Sequence, residues 1–125
     1  MASHRHIVGS REERAAQGAL ELVVPDLARA LSFYASLGFE TLRRTDGFAV
    51  MTFGDVHLLF AEDPAATTAP RWANLRIVVA DVDRIWALLR HLPIACPIGD
   101  REYGLRDFTV RDPFGFELRF AQLIE

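Results

Sequence analysis

Residues 20 to 24 of this chain are apolar at every second position, Leu20, Leu22 and Val24, with Glu21 and Val23 between them. A period of two marks a strand with one buried face. The period then changes. Leu27, Ala30, Leu31, Tyr34 and Leu37 recur at helical spacing, which predicts a helix with one apolar stripe. Asp26 stands where an N-cap is needed, and Gly38 where a helix stops. Three further strands are predicted over residues 39–44, 48–53 and 56–61, with Thr45-Asp46-Gly47 and Gly54-Asp55 as the hairpin turns.

The second half repeats the first. Shifted by 55 positions (26 to 81), Glu21-Leu22-Val23-Val24-Pro25-Asp26-Leu27 falls on Arg76-Ile77-Val78-Val79-Ala80-Asp81-Val82, Arg29 on Arg84 and Leu37 on Leu92. The second copy should therefore run as a strand over 75–79 and a helix from Asp81 or Asp83 to Leu92, closed by Pro93. Strands near 94–96, 106–111 and 116–123 follow. This order predicts an α+β fold: two βαβββ modules forming a curved, cupped mixed sheet with the helices on its convex face. Residues 1–18 read as an N-terminal extension. Residues 19–123 read as a single domain, with one module over 19–62, a linker over 63–71 and a second module over 72–123.

Strand parity indicates which side chains the cup presents. With Leu20, Leu22 and Val24 under the first helix, Ala19, Glu21 and Val23 face the concave side. Leu75, Ile77 and Val79 under the second helix likewise turn Asn74, Arg76 and Val78 to it. Leu58 and Phe60 correspond to Leu118 and Phe120, which leaves His57, Leu59, Glu117 and Arg119 facing the cavity. The cavity thus mixes Glu21, His57, Arg76, Glu117 and Arg119 with apolar neighbours.

Composition narrows the classes of function. A chain of 125 residues, half of them apolar, can bury an ordinary core. The formal charge of -3 offers no basic face for nucleic acid. No apolar run approaches the roughly 20 residues of a membrane span. The single cysteine, Cys96, rules out an intrachain disulfide. Met-Ala-Ser-His-Arg-His lacks the apolar stretch of a secretory signal, so a cytoplasmic location is expected.

Two sets of residues carry a family resemblance. The first is Val24-Pro25-Asp26-Leu27-Ala28-Arg29-Ala30 with Phe33-Tyr34 and Leu37-Gly38-Phe39. The second is Tyr103-Gly104-Leu105-Arg106-Asp107-Phe108 followed by Arg111-Asp112-Pro113-Phe114-Gly115. Through them the chain resembles the vicinal oxygen chelate superfamily, the glyoxalase, bleomycin-resistance and dioxygenase group. That resemblance implies four metal-ligand positions, filled in the metalloenzymes by His, Gln or Glu. Here they hold Ala19, Leu59, Asn74 and Arg119. Alanine and leucine have no lone pair to offer and arginine is cationic, so no metal and no cofactor is expected. What remains is similarity to the metal-free branch, whose members bind and sequester bleomycin-type glycopeptides. They do so as homodimers with aromatic-lined grooves, often exchanging strands or arms.

On that resemblance Phe48, Trp72 and Tyr103 are the expected aromatic walls, because stacking adds to area burial for flat ligands. Glu21, His57, Leu59, Arg76 and Arg119 complete the expected ligand-binding set. Two features depart from the pattern. The resistance proteins resemble an acidic trap for a cationic drug, whereas Arg76 and Arg119 line the cavity here. Phe114 and Phe116 flank Gly115, where smaller or polar residues are common.

Each candidate also has a structural reading. His57 suits a hydrogen bond across the sheet, Glu21 a pairing with Arg76 or Arg119, and either arginine a pairing with Glu117. Trp72 and Tyr103 equally suit a dimer interface. Trp86 belongs with the core, Cys96 reads as an inert buried thiol, and Asp112-Pro113-Phe114-Gly115 as a tight turn. The expected function is small-molecule binding without catalysis. The alternative is a metal-independent isomerase or lyase with His57 or Glu21 as base. A metal centre displaced onto Glu21, His57 and Glu117 is a third reading.

Overall fold

Asp26 and Asp81 start the two helices in the same way. The carboxylate of each accepts the backbone N–H three residues on, from Arg29 at 3.0 Å and from Arg84 at 3.2 Å. A second side chain closes each helix start from the strand beside it. The Leu27 N–H donates to Glu62 Oε2 at 2.8 Å, and the Val82 N–H to Gln122 Oε1 at 2.8 Å. The sequence repeat is therefore also a repeat of how orphan helix donors are satisfied.

The computed structural model describes residues 18–69 and 73–124. Its elements are β1 (Leu20–Val24), α1 (Leu27–Leu37), β2 (Glu40–Thr45), β3 (Phe48–Phe53), β4 (Val56–Glu62), β5 (Asn74–Val78), α2 (Val82–Leu89), β6 (Ile94–Asp100), β7 (Leu105–Arg111) and β8 (Glu117–Leu123). The strands form two four-stranded mixed sheets, β1-β4-β3-β2 and β5-β8-β7-β6. In each, the first strand lies parallel to the last and the other pairs are antiparallel. The α+β architecture of two βαβββ modules is thus the one the pattern predicts, with β1 and β5 at matching sheet edges.

The apolar stripe read for α1 is the stripe it buries: Leu27, Ala30, Leu31, Tyr34 and Leu37. Gly38 closes the helix at φ 109°. Leu58, Phe60, Leu118 and Phe120 occupy equivalent buried positions in one core. Aromatic rings join the two sheets there: Phe53 lies 6.0 Å from Phe120, which stacks on Phe108 at 5.5 Å. Trp86 meets Phe108 edge-on at 5.1 Å, inside the packing as expected.

Three expectations need correction. Helix α2 stops at Leu89 rather than Leu92. Leu92 precedes Pro93, which disfavours helical backbone, and the Leu92 N–H turns back to the Leu89 carbonyl at 2.9 Å. Strand β6 continues past Pro97 to Asp100. It is a sheet edge with register shifts around Cys96, where a missing N–H costs little. Leu20 is 47% exposed rather than covered by α1; it begins its strand and lines a cleft instead.

The turn between β7 and β8 joins the two modules. Asp112 Oδ1 accepts the N–H groups of Phe114 and Phe116, each at 2.8 Å, while its Oδ2 accepts the Tyr34 hydroxyl at 2.7 Å. Gly115 sits at φ 92°, and a Cβ there would run into the Ala69 carbonyl. The linker therefore passes directly over the turn. The expected extension, apart from Gly18, and Trp72 lie outside the described residues. Among the described residues no helix is long and apolar enough to cross a membrane.

Candidate ligand-binding site

Each sheet has one face packed on the helices and one without them. On the helix-free face of the first sheet, register places Glu21 beside Leu59 and Leu59 beside Val50. The next row is Val23, Ala61 and Phe48, and His57 pairs with Thr52. Phe48, Val50, His57, Leu59 and Ala61 are all half-buried. The structure thus brings Glu21, Phe48, His57 and Leu59 onto one surface, apolar at its centre and polar at its border. Period-two parity is the physical reason.

The second sheet repeats the surface with different chemistry. Arg76 pairs with Arg119, Arg119 with Thr109, and Thr109 with Cys96, all in one cross-strand row. The adjacent rows are Asn74, Glu117 and Arg111, and then Val78, Ala121, Asp107 and Gly99. Asp107 is 2% exposed. Its carboxylate accepts Arg101 Nε at 2.8 Å and the Tyr103 hydroxyl at 2.9 Å. The hydrogen bond from Tyr103 to Asp107 raises the phenol above its ordinary range, against the opposing charges of Arg119 and Arg101. The same Asp107 raises the Arg101 guanidinium. Arg101 also reaches the Pro97 carbonyl at 2.6 Å and Cys96 Sγ at 3.3 Å. Tyr103 is 58% exposed, so it stands at the rim of this face rather than as a buried wall.

The Arg101, Asp107 and Tyr103 cluster is absent from the sequence-based expectation for the site. Its one sequence signal is a carboxylate inside a strand, at a parity that turns it away from the helix. The expected pairing of an arginine with Glu117 falls instead to Arg111, at 3.1 Å. Glu21 is exposed and makes no ion pair among the described residues. His57 donates its Nδ1–H to the Asp55 carbonyl at 3.2 Å, within its own hairpin rather than across the sheet.

A cleft of about 190 Å³ opens between the edge strands β1 and β5. Leu20, Glu21, Leu75, Phe116, Asn74 and Glu117 are among its walls. Glu21 and Glu117 therefore share a space that His57 does not line. Among the described residues no three His, Cys, Asp or Glu side chains converge as a metal site would require. Of the four residues expected at the family's metal-ligand positions, Leu59 and Arg119 lie on the helix-free faces of different sheets, and Asn74 borders the cleft.

The sequence profile of the Glyoxalase/Bleomycin resistance protein/Dioxygenase superfamily matches residues 16–120, and the chain belongs to that family. Bleomycin resistance proteins of Geobacillus stearothermophilus and Staphylococcus aureus are each 32% identical to it over 124 residues. These alignments span 83% of this chain and 94% of those proteins. Among solved structures, a bleomycin-binding protein complexed with bleomycin superposes with a TM-score of 0.69 at 23% identity, covering 86% of this chain and 98% of that one. A glyoxalase/bleomycin resistance protein/dioxygenase from Nocardioides gives 0.74 at 19% identity, covering 99% and 93%. At these identities the structures establish the shared fold.

Proposed function

We propose that this protein binds and sequesters a small aromatic, polar molecule, of the bleomycin type or similar in shape, without transforming it. The observation that carries the reading is the pair of helix-free sheet faces. Phe48, Val50, Leu59 and Ala61 give the first an apolar centre, and Glu21, His57, Arg76 and Arg119 supply orienting groups around the two faces. Such a mixture suits a ligand pocket, where apolar area gives affinity and a few polar groups give orientation. The likeness to bleomycin resistance proteins supports sequestration as the mode of action.

A homodimer in the cytoplasm is part of the proposal. Val23, Val78 and Leu123 lie on the helix-free faces and are 38%, 55% and 71% exposed. Large apolar side chains in such positions favour cover by a partner or a ligand. Residues 19–123 act as the single binding domain, and Trp72 and Tyr103 complete the groove. A tryptophan-fluorescence titration with metal-free bleomycin, repeated with Trp72→Phe, tests the reading. Saturable quenching that weakens in the variant supports it; an unchanged spectrum at every concentration removes the bleomycin-type ligand.

His57 gives a second reading a specific foothold. With Nδ1–H held by the Asp55 carbonyl, Nε2 carries the lone pair of the neutral ring. A metal-independent isomerase or lyase would use that nitrogen, or Glu21, as base. Turnover with a pH dependence that disappears in His57→Ala would establish it.

A further inference from the structure

Arg76 and Arg119 are register partners on the adjacent parallel strands β5 and β8, and both project from the helix-free face. Like charges placed directly across a sheet repel. Proteins usually neutralise such a pair with a carboxylate. The carboxylates in the two flanking rows, Asp107 and Glu117, are engaged elsewhere. Asp107 accepts Arg101 and Tyr103, and Glu117 pairs with Arg111. Among the described residues no ion pair reaches either Arg76 or Arg119.

The third residue of the same row adds an independent observation. Thr109 is the register partner of Arg119 on β7 and is 5% exposed. Among the described residues its hydroxyl has no hydrogen-bond partner. Such a buried hydroxyl costs free energy unless something completes it. Two guanidinium groups and one hydroxyl donor in a line across three strands make a set of donors lacking its acceptor.

We propose that Arg76, Arg119 and Thr109 form an oxyanion clamp, binding a carboxylate, phosphate or sulfate group of the ligand. Planar guanidinium groups match such oxygens in bidentate fashion. The half-buried position of Arg119 strengthens the attraction relative to open solvent. The inference rests on the binding reading above for the aromatic part of the ligand, and on the arginine row alone for the anion. It makes the ligand class an aromatic oxyanion. Tyr103, at the rim and within reach of the charge on Arg119, is the neighbouring aromatic surface.

The test is calorimetric titration of the full chain with phenyl phosphate, benzoate, benzyl alcohol and inorganic phosphate at constant ionic strength. Arg76→Gln, Arg119→Gln and Thr109→Val are compared with Arg84→Gln, on the exposed face of α2. The clamp predicts that phenyl phosphate or benzoate binds at least about tenfold more tightly than benzyl alcohol. Each arginine variant should lose about tenfold and Arg84→Gln nothing, a factor equal to about 1.4 kcal/mol. Benzoate alone would identify a carboxylate site, and inorganic phosphate alone a phosphate site without an aromatic groove; either supports the clamp. Equal binding of benzyl alcohol and the anions, unchanged in the arginine variants, overturns the clamp and leaves the groove. No binding of any probe overturns both. A thermal-shift series guards against misfolded variants. Phosphate should raise the melting temperature of the wild type more than chloride does, and Arg76→Gln should melt normally without that increment. Loss of dimer in Arg76→Gln with no phosphate effect in the wild type would assign the arginines to a partner subunit and overturn the clamp.

Discussion

The Tyr34 hydroxyl donates to Asp112 Oδ2 at 2.7 Å, joining the helix of the first module to the closing turn of the second across 78 positions of sequence. Both side chains are buried. Removing the hydroxyl takes a partner from a buried carboxylate. Tyr34→Phe should cost about 1–3 kcal/mol in denaturant unfolding. A cost near zero would show that the bond does not hold the modules together.

The same residue predicts an alkaline limit to stability. Burial, then the charge and hydrogen bond of Asp112, raise the Tyr34 phenol well above its ordinary value of 10.0. The folded protein therefore keeps this proton where the unfolded chain releases it. The contribution is fully present below pH 10 and lost as pH rises beyond it, at about 1.4 kcal/mol per pH unit. Unfolding curves between pH 9 and 11.5 should show this slope in the wild type and a shallower one in Tyr34→Phe.

Gly115 is the residue where the linker allows no side chain. Its positive φ and the Ala69 carbonyl both oppose a Cβ. Gly115→Ala should destabilise by more than about 1 kcal/mol, whereas Gly47→Ala, at φ 74° with open space around it, should show the backbone cost alone. Thermal melts of the two variants separate steric from conformational loss.

Asp107 holds Arg101 and Tyr103 together at the edge of the helix-free face. Arg101 is partly exposed, so solvent moderates the loss of its partner. Asp107→Asn should cost about 1–3 kcal/mol and move the Tyr103 phenol back toward its ordinary range, since the bond to Asp107 is the first cause of its rise. A spectrophotometric tyrosine titration reads this directly. An unchanged high titration point in the variant would contradict the assignment.

Much of this architecture is legible in local pattern. β1, α1, both Asp caps and the hairpin glycines follow from periods of two and 3.6 and from turn chemistry, which nearby residues determine. The faces carrying Glu21, Leu59, Arg76 and Arg119 are legible for the same reason. What the sequence conceals is pairing between distant segments. Glu117 takes Arg111 because β7 lies beside β8 with those two residues in register, a fact no local window contains. The burial of Asp107 depends on an arginine and a tyrosine from the loop before its strand. The extent of β6 was hidden by Pro97, whose usual meaning as a strand terminator fails on a sheet edge.

We propose that a small molecule binds on the helix-free face centred on Leu59. Calorimetric titration with metal-free bleomycin, comparing the wild type with Leu59→Arg, checks this placement. Leu59 lies outside the buried core, so the variant should keep its melting temperature. The wild type should bind saturably, and Leu59→Arg should bind at least about tenfold more weakly. Binding of undiminished strength in a folded Leu59→Arg protein would contradict it.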